Sequence, residues 1–310
     1  MNSPFTSSFS SLLTEQENED SVDIDLKSST EIVSIFQKED QKVLSAVEEQ
    51  ASAIATAIDM VVMAFRNGGR LLYMGAGTSG RLGVLDSSEC PPTFNTEPGQ
   101  IQGLIAGGDQ ALRRSVETAE DSQKMGSQVI RDNSVSNVDI VVGIASSGRT
   151  PYVLGGLEQA HLLRAQTILI CCVPSSPSDA DINYIDHYIR PQVGPEIITG
   201  STRLKAGTAT KLVLNMLTTG AMIQTGHVYG NLMVNMQASN SKIRDRAIRT
   251  VMSVTGCERP TAESALNQAD GRVKEAIVCL IRGVDVSIAT GLLEAENGFL
   301  RPVLANPDSS

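Results

Sequence analysis

Two stretches of this 310-residue chain combine glycine, serine and threonine in the way that a bound anion requires. In the first, the apolar run Leu71-Leu72-Tyr73-Met74 opens directly into Gly75-Ala76-Gly77-Thr78-Ser79-Gly80-Arg81-Leu82. In the second, Asp139-Ile140-Val141-Val142-Gly143-Ile144 leads into Ala145-Ser146-Ser147-Gly148-Arg149-Thr150-Pro151. A buried strand, then small residues, then a helix lets backbone N–H groups close on an anion at the helix N-terminus, and the hydroxyls add donors. Pro151 suits the first helical position, where its missing N–H costs nothing. Gly75, Gly77 and Gly80 also satisfy the dinucleotide pattern G-x-G-x-x-G, which a plain strand-to-helix turn would match as well. A dinucleotide site would want an acid ending the next strand, about 20 residues on, to hold the ribose hydroxyls. The next apolar run, Ile101 to Ala106, instead ends in Gly107-Gly108-Asp109, further along and after glycines. Sugar-phosphate loop, dinucleotide loop and structural turn all stand open on this stretch alone. The second loop tips the balance toward a single phosphate over a pyrophosphate.

Acids that could move a proton lie near both loops. Glu89 sits beside Cys90, and Glu120 lies among Glu117 and Asp121, with Glu97 upstream. Spacing alone does not say which of them enters a site, because clustered acids usually form a solvated face. The five cysteines, Cys90, Cys171, Cys172, Cys257 and Cys279, show no C-x-x-C spacing, so neither a disulfide framework nor a zinc site is suggested. Cys90 invites a nucleophile hypothesis, but a small buried thiol is the plainer role. His161, His187 and His227 are scattered, and each reads as a surface or packed residue.

The elements that must position these groups alternate. Residues 1 to 27 are rich in Ser, Asn, Glu and Asp with little periodicity, and a mobile or loosely packed arm is expected there. Ser29 or Thr30 can cap a short helix ending near Gln37. From Asp40, apolar residues recur at helical spacing from Val43 to Phe65, predicting one long helix that ends at Gly68-Gly69. Strands are expected near 70–74, 101–105, 139–144, 167–172 and 184–189, with helical runs between them. Alternation at this period implies an α/β fold, a doubly wound parallel five-stranded sheet covered on both faces. A helix from Arg203 to Gln224 follows, whose N-terminal end would be a third source of positive potential. Beyond Lys242 the pattern is purely helical and predicts a small C-terminal helical bundle. The expected division is therefore an arm and helices over 1–60, the sheet domain over 61–224 and a helical region over 240–310.

Thr78-Ser79-Gly80-Arg81, Ser147-Gly148-Arg149-Thr150-Pro151-Tyr152 and the segment from Gly200-Ser201-Thr202-Arg203-Leu204-Lys205 to Ala209 resemble a sugar isomerase (SIS) domain. Within that superfamily, Leu85-Asp86-Ser87-Ser88-Glu89-Cys90-Pro91-Pro92-Thr93-Phe94 and Glu117-Thr118-Ala119-Glu120-Asp121-Ser122 are similar to the N-acetylmuramic acid 6-phosphate etherases. The resemblance runs from about Ile24 to the C-terminal region, whose helices look like the ubiquitin-associated-like tail of that family. It implies a flavodoxin-like sheet and removal of the D-lactyl ether from a phosphorylated muramic sugar, by elimination then hydration, in cell-wall sugar recycling. It also implies Glu89 and Glu120 as the catalytic pair, Glu89 assisting lactate departure and Glu120 acting as base at C2 or for water. For the 6-phosphate the two loops offer Ser79 and Ser147 with Thr78 and Thr150 and their backbone N–H groups, and Arg81, Arg149, Arg203 and Lys205 are candidate charges, each arginine being equally suited to a salt bridge at the sheet ends or in a dimer. Pro91 and Pro92 are expected to stop the helix begun near Arg81. Glu89 would then lie in the last turn, where the helix dipole disfavours the carboxylate and suits a proton donor. The chain departs from the family pattern at Gln37, at Ser146 and at Asn235, where an aspartate is usual.

Composition bounds the rest. A formal net charge of −10 argues against a nucleic-acid partner. No apolar run approaches the roughly 20 residues that span a bilayer, and residues 1–20 show no basic segment ahead of an apolar one, so a cytoplasmic protein without a membrane partner is expected. The resemblance implies neither metal nor nicotinamide cofactor, and SIS domains usually pair, so a homodimer is expected. An aldose–ketose isomerase of the same superfamily would need no acid aimed at C3, which makes Glu89 the discriminating residue. A non-catalytic sugar-phosphate sensor is the third reading, against which the chain offers no basic helix-turn-helix segment.

Overall fold

The computed structural model describes residues 13–114, 116–175, 182–236 and 241–305. Two compact units emerge, one comprising the described residues up to Ser88 with Gly99–Thr218, the other Glu89–Pro98 with the described residues from Thr219 onward.

In the first unit, α1 (Ser29–Glu48) opens on a reciprocal capping box between Ser28 and Glu31, with Ser28 as the cap in place of the expected Ser29 or Thr30. It runs past Gln37 without a stop, and a second helix, α2 (Ala51–Arg66), follows a break at Glu49-Gln50. The expected single helix over 40–65 is therefore two. Apolar spacing persists across the junction, so periodicity cannot see a break that the backbone closes with Gln50 N–H on Val47 O and reopens with Ile54 N–H on Gln50 O.

The sheet is parallel throughout, in the order β2-β1-β3-β4-β5: β1 (Leu71–Gly75), β2 (Ile101–Ile105), β3 (Ile140–Ile144), β4 (Gln166–Ile170) and β5 (His187–Ile189). Its crossovers include α3 (Gly77–Phe94), the single turn α4 (Gln110–Arg113), α5 (Gln123–Asp132) and α6 (Pro151–Leu162). Every residue of β1 and β3 is buried, as central parallel strands covered on both faces must be. Leu72, Met74, Val141, Val153, Leu157 and Leu169 anchor one apolar cluster on the sheet. Arg70 and Asp139 pair at the strand starts, Nη2 to Oδ2 at 2.8 Å. Burial alone would raise the Asp139 carboxyl, but the guanidinium and two backbone N–H groups hold it below the usual carboxylate range.

The N-terminal stretch corrects the expectation of a loose arm, as far as its described residues go. Three short 3-10 turns cover Leu13–Glu15, Glu19–Ser21 and Ile24–Leu26, with Thr14 and Ser21 buried. Its polar residues satisfy two carbonyls and a carboxylate elsewhere in the unit. Ser21 Oγ donates to Ile197 O at 2.7 Å, and Asn18 Nδ2 donates to Glu39 Oε2 at 2.8 Å and Pro195 O at 3.0 Å. Residues 1–12 lie outside the described residues.

The second unit contains a hairpin that the helical reading missed, β6 (Val228–Tyr229) against β7 (Leu232–Met233), turned at Gly230 with φ +60. Helices α8 (Ser241–Thr255), α9 (Arg259–Gln268), α10 (Val273–Arg282), α11 (Val286–Ala295) and α12 (Leu300–Ala305) follow. They close on a separate core of Val234, Ile248, Val251, Leu266, Ile277 and Leu293. The long helix α7 (Lys205–Gln224) belongs to the first unit up to Thr218. Among the described residues no single helix is long and apolar enough to cross a membrane.

Candidate active site

β1 lies between β2 and β3, so the chain leaves β1 in one direction and β3 in the other. That reversal of strand order is where open α/β sheets bind ligands, in the crevice beyond the carboxyl ends of the strands. Both glycine and hydroxyl loops emerge there, since Gly75 and Ile144 are paired at the ends of β1 and β3.

In the first loop the three glycines do different work. Gly75 and Gly80 touch, and a Cβ on Gly80 would meet Gly75 O and Ile105 Cγ1, both at 2.6 Å. They exist for close packing of strand and helix. Gly77 has φ +54 with open space where a side chain would be, so it makes the turn into α3. The glycine pattern is thus accounted for without a pyrophosphate, and the half-buried Thr78 and Ser79 are left as the hydroxyls at the helix start. A Cβ on Gly207 would lie 3.5 Å from Thr78 Cγ2, so the first turn of α7 packs against this loop. Arg81 turns its Nε to Leu112 O at 3.2 Å.

In the second loop, Gly148 takes φ +70 and its N–H bonds Ala145 O at 2.7 Å. Ser147 Oγ accepts the Arg149 N–H at 3.2 Å, which orients the hydroxyl at the loop's tip. The half-buried Arg149 is engaged within the protein. Thr150 is the N-cap of α6, buried, and its hydroxyl caps no helix N–H. Pro151 occupies the first helical turn as expected.

Glu120 lies in a turn directly after the 3-10 segment Glu117–Ala119, with an exposed side chain. Its carbonyl accepts the Tyr152 N–H at 3.0 Å, on the first turn of the helix that the second loop opens. One backbone bond therefore ties this acid to the Ser147 loop. No periodicity could have singled it out, because it is on neither a helix nor a strand.

Glu89 is exposed and belongs with the second unit. The prolines do not end its helix: α3 continues through Pro91 and Pro92 to Phe94. A proline's fixed φ is itself helical, and near a C-terminus two lost N–H donors are tolerable. Glu89 is therefore more than one turn from the end of the helix, which weakens the dipole argument made for it.

Two charges expected at the site have other partners or positions. Lys205 is fully buried, and its Nζ donates to Glu39 Oε2 at 2.6 Å. Arg203 is exposed. The N-terminus of α7, expected as a third source of positive potential, already holds an anion. The N–H groups of Lys205 and Ala206 each donate to one oxygen of the buried Glu196 carboxylate at 2.9 Å. Burial raises the Glu196 pKa against those two bonds. Sequence reasoning missed Glu196, and also Asp86, whose buried carboxylate accepts from Tyr73 OH at 3.2 Å and Lys211 Nζ at 3.3 Å. Among the described residues no group of three His, Cys, Asp or Glu could hold a metal ion.

Comparison with known proteins places this arrangement. Residues 53–161 match the family model described as the glucokinase regulatory protein N-terminal SIS domain. An N-acetylmuramic acid 6-phosphate etherase of Aliivibrio salmonicida (strain LFI1238) is 49% identical over 297 residues, covering 95% of this chain and 97% of the relative. One from Enterobacter sp. (strain 638) is 51% identical over 296 residues, covering 96% and 99%. Among solved structures, a phosphoheptose isomerase from Francisella tularensis is 23% identical with a TM-score of 0.44, covering 62% of this chain and 98% of its own, too distant to carry an argument.

Proposed function

Since this chain belongs to the N-acetylmuramic acid 6-phosphate etherase family, we propose that Glu89 and Glu120 are the two carboxyls of its reaction and that the paired loops hold the phosphate. The chain is an etherase: it removes the D-lactyl group from N-acetylmuramic acid 6-phosphate with water, giving N-acetylglucosamine 6-phosphate and D-lactate, a step of cell-wall sugar recycling. The C2 proton of such a sugar is acidic only when the ring is open and C1 is an aldehyde. Glu120 takes that proton, Glu89 protonates the departing C3 oxygen, and water then adds to the unsaturated aldehyde. Each proton transfer by a positioned carboxyl contributes on the order of 10²- to 10⁴-fold in rate.

The observation that carries this reading is the bond from Tyr152 N–H to Glu120 O, which ties a proton-transferring acid to the loop of Ser147 and Thr150 at the switch point of the sheet. Thr78 and Ser79, with the N–H groups of both loops, complete the phosphate grip, and Arg81 and Arg149 add positive potential. Lys205 is left out of that grip because its ammonium is committed to Glu39. We place the enzyme in the cytoplasm, where phosphorylated sugars are made and retained, and as a homodimer. Val33, Leu44 and Met63, exposed apolar residues of α1 and α2, support the pairing, and light scattering of an active monomer would defeat it.

The test follows lactate release and C2 proton exchange together in D2O. Glu120→Gln is expected to lose both. Glu89→Gln is expected to lose lactate release while keeping exchange at C2. Full lactate release by either variant would remove that residue from the pair.

A further inference from the structure

Glu89 has an exposed carboxylate, and among the described residues no side chain or backbone group holds it. Its position is set by the helix beneath it. That helix is weakened just where it matters: Pro91 and Pro92 contribute no N–H, so Ser87 O and Ser88 O lose the donors that would normally close the last turns. The end is secured from outside instead. Asn235 Nδ2 donates to Phe94 O at 3.0 Å, satisfying a terminal carbonyl as a C-cap would. The ring of Phe94, a residue only 7% exposed, meets the His227 ring edge-on at 6.5 Å and 88°. His227 is itself fixed, through Thr225 Oγ1 on Nδ1 at 3.1 Å, its N–H on Met222 O and its carbonyl under Val234 N–H. Both anchors flank the β6–β7 hairpin, so the second unit clamps the turn that follows Glu89.

We propose that Asn235 and His227 are positioning residues for Glu89, fixing the proline-weakened end of α3 so that the acid meets the leaving oxygen. The proposal rests on the assignment of Glu89 made above. It gives the C-terminal unit a part in the reaction, exerted through five residues of helix. The side-chain amide is the working group at 235, because a carboxylate has no proton to donate to Phe94 O.

The readout is the ratio of C2 exchange to lactate release in D2O, measured for wild type, Glu89→Gln, Asn235→Ala and the milder Asn235→Ser. A loosened acid slows ether cleavage without touching proton abstraction. The ratio is expected to rise about tenfold in Asn235→Ala, with KM within twofold of wild type; a factor of ten corresponds to 1.4 kcal/mol. General loss of folded protein lowers exchange and release together and leaves the ratio unmoved, so it cannot mimic the result. Should Asn235→Ala fold poorly, Asn235→Ser keeps a polar side chain too short to reach Phe94 O and carries the same expectation. An unchanged ratio in a folded variant, or a raised KM at constant kcat, overturns the proposal. If Glu89→Gln releases lactate normally, the assignment of Glu89 itself fails, an outcome separate from either.

Discussion

At the scale of single residues, the two loop serines have distinct surroundings and should still fail alike. Ser147 Oγ already accepts an N–H from Arg149, so its proton is free to point to a ligand oxygen. Ser79 lies at the start of α3, among N–H groups that favour an anion. On the phosphate grip proposed above, removing either hydroxyl by Ser→Ala would delete one hydrogen bond to a charged group, and KM for the phosphosugar is expected to rise about tenfold or somewhat more. Steady-state kinetics with kcat nearly unchanged would bear this out, and an unaltered KM would remove that serine from the phosphate site. Gly148→Val should do more harm than either, because φ +70 is strained for a β-branched residue and a Cβ there would sit 3.3 Å from Val173 Cγ2. The loops were legible because glycines and hydroxyls at a strand end announce themselves locally. Glu120 was singled out only through resemblance, since its place beside the second loop comes from one backbone bond to Tyr152, a residue 32 positions later.

At the scale of elements, the alternation of apolar strands with helices gave the sheet, because a parallel strand buried on both faces leaves a continuous apolar run. What it could not give was the buried charge that surrounds α7. Glu196 precedes the helix it caps by nine residues, and Glu39 lies 166 residues from its partner Lys205, so neither relation leaves a trace in spacing. Glu39 also takes Nδ2 of Asn18 and Nζ of Lys42 at 2.5 Å, and these partners outweigh its burial to hold its pKa low. The sign of that shift means its contribution is present above the unfolded carboxylate range and is lost as pH falls from there through its lower folded value. Lys205→Met is therefore expected to destabilise the first unit by about 3–5 kcal/mol, the usual consequence of stranding one buried charge. Glu39→Leu added to it should recover only part, since Asn18 and Lys42 lose their acceptor. Denaturant unfolding checks both variants. A stable Lys205→Met protein with a raised KM would return Lys205 to the phosphate site.

At the scale of the whole molecule, the second unit carries two bases kept short of their ordinary protonation. The bundle was legible from helical periodicity, but the hairpin was not, since its strands are two residues each and leave no alternation to count. Nor were its buried bases. Burial, then the charge of Lys274, pushes His227 down to about 4. Burial pushes Lys274 down to about 8, while its Nζ donates to Gly298 O at 2.8 Å. Both folded values lie below the unfolded ones, so in each window the unfolded chain binds more protons and stability rises with pH. For His227 the rise falls between about 4 and 6.5, on the order of 2 kcal/mol given its partial exposure. For Lys274 it falls between about 8 and 10.5, on the order of 3 kcal/mol. Below pH 8 the cost of the buried ammonium is fully present. Lys274→Met deletes that titration and leaves every other group in place. The stability of wild type relative to Lys274→Met should thus climb by about 3 kcal/mol from pH 8 to 10.5 and be flat from pH 6 to 7.5, the background ionisations cancelling in the difference. Urea unfolding of both proteins across that range measures it. A difference independent of pH would mean that Lys274 keeps its ordinary basicity in the fold, with Gly298 O and Glu275 compensating for the lost solvent.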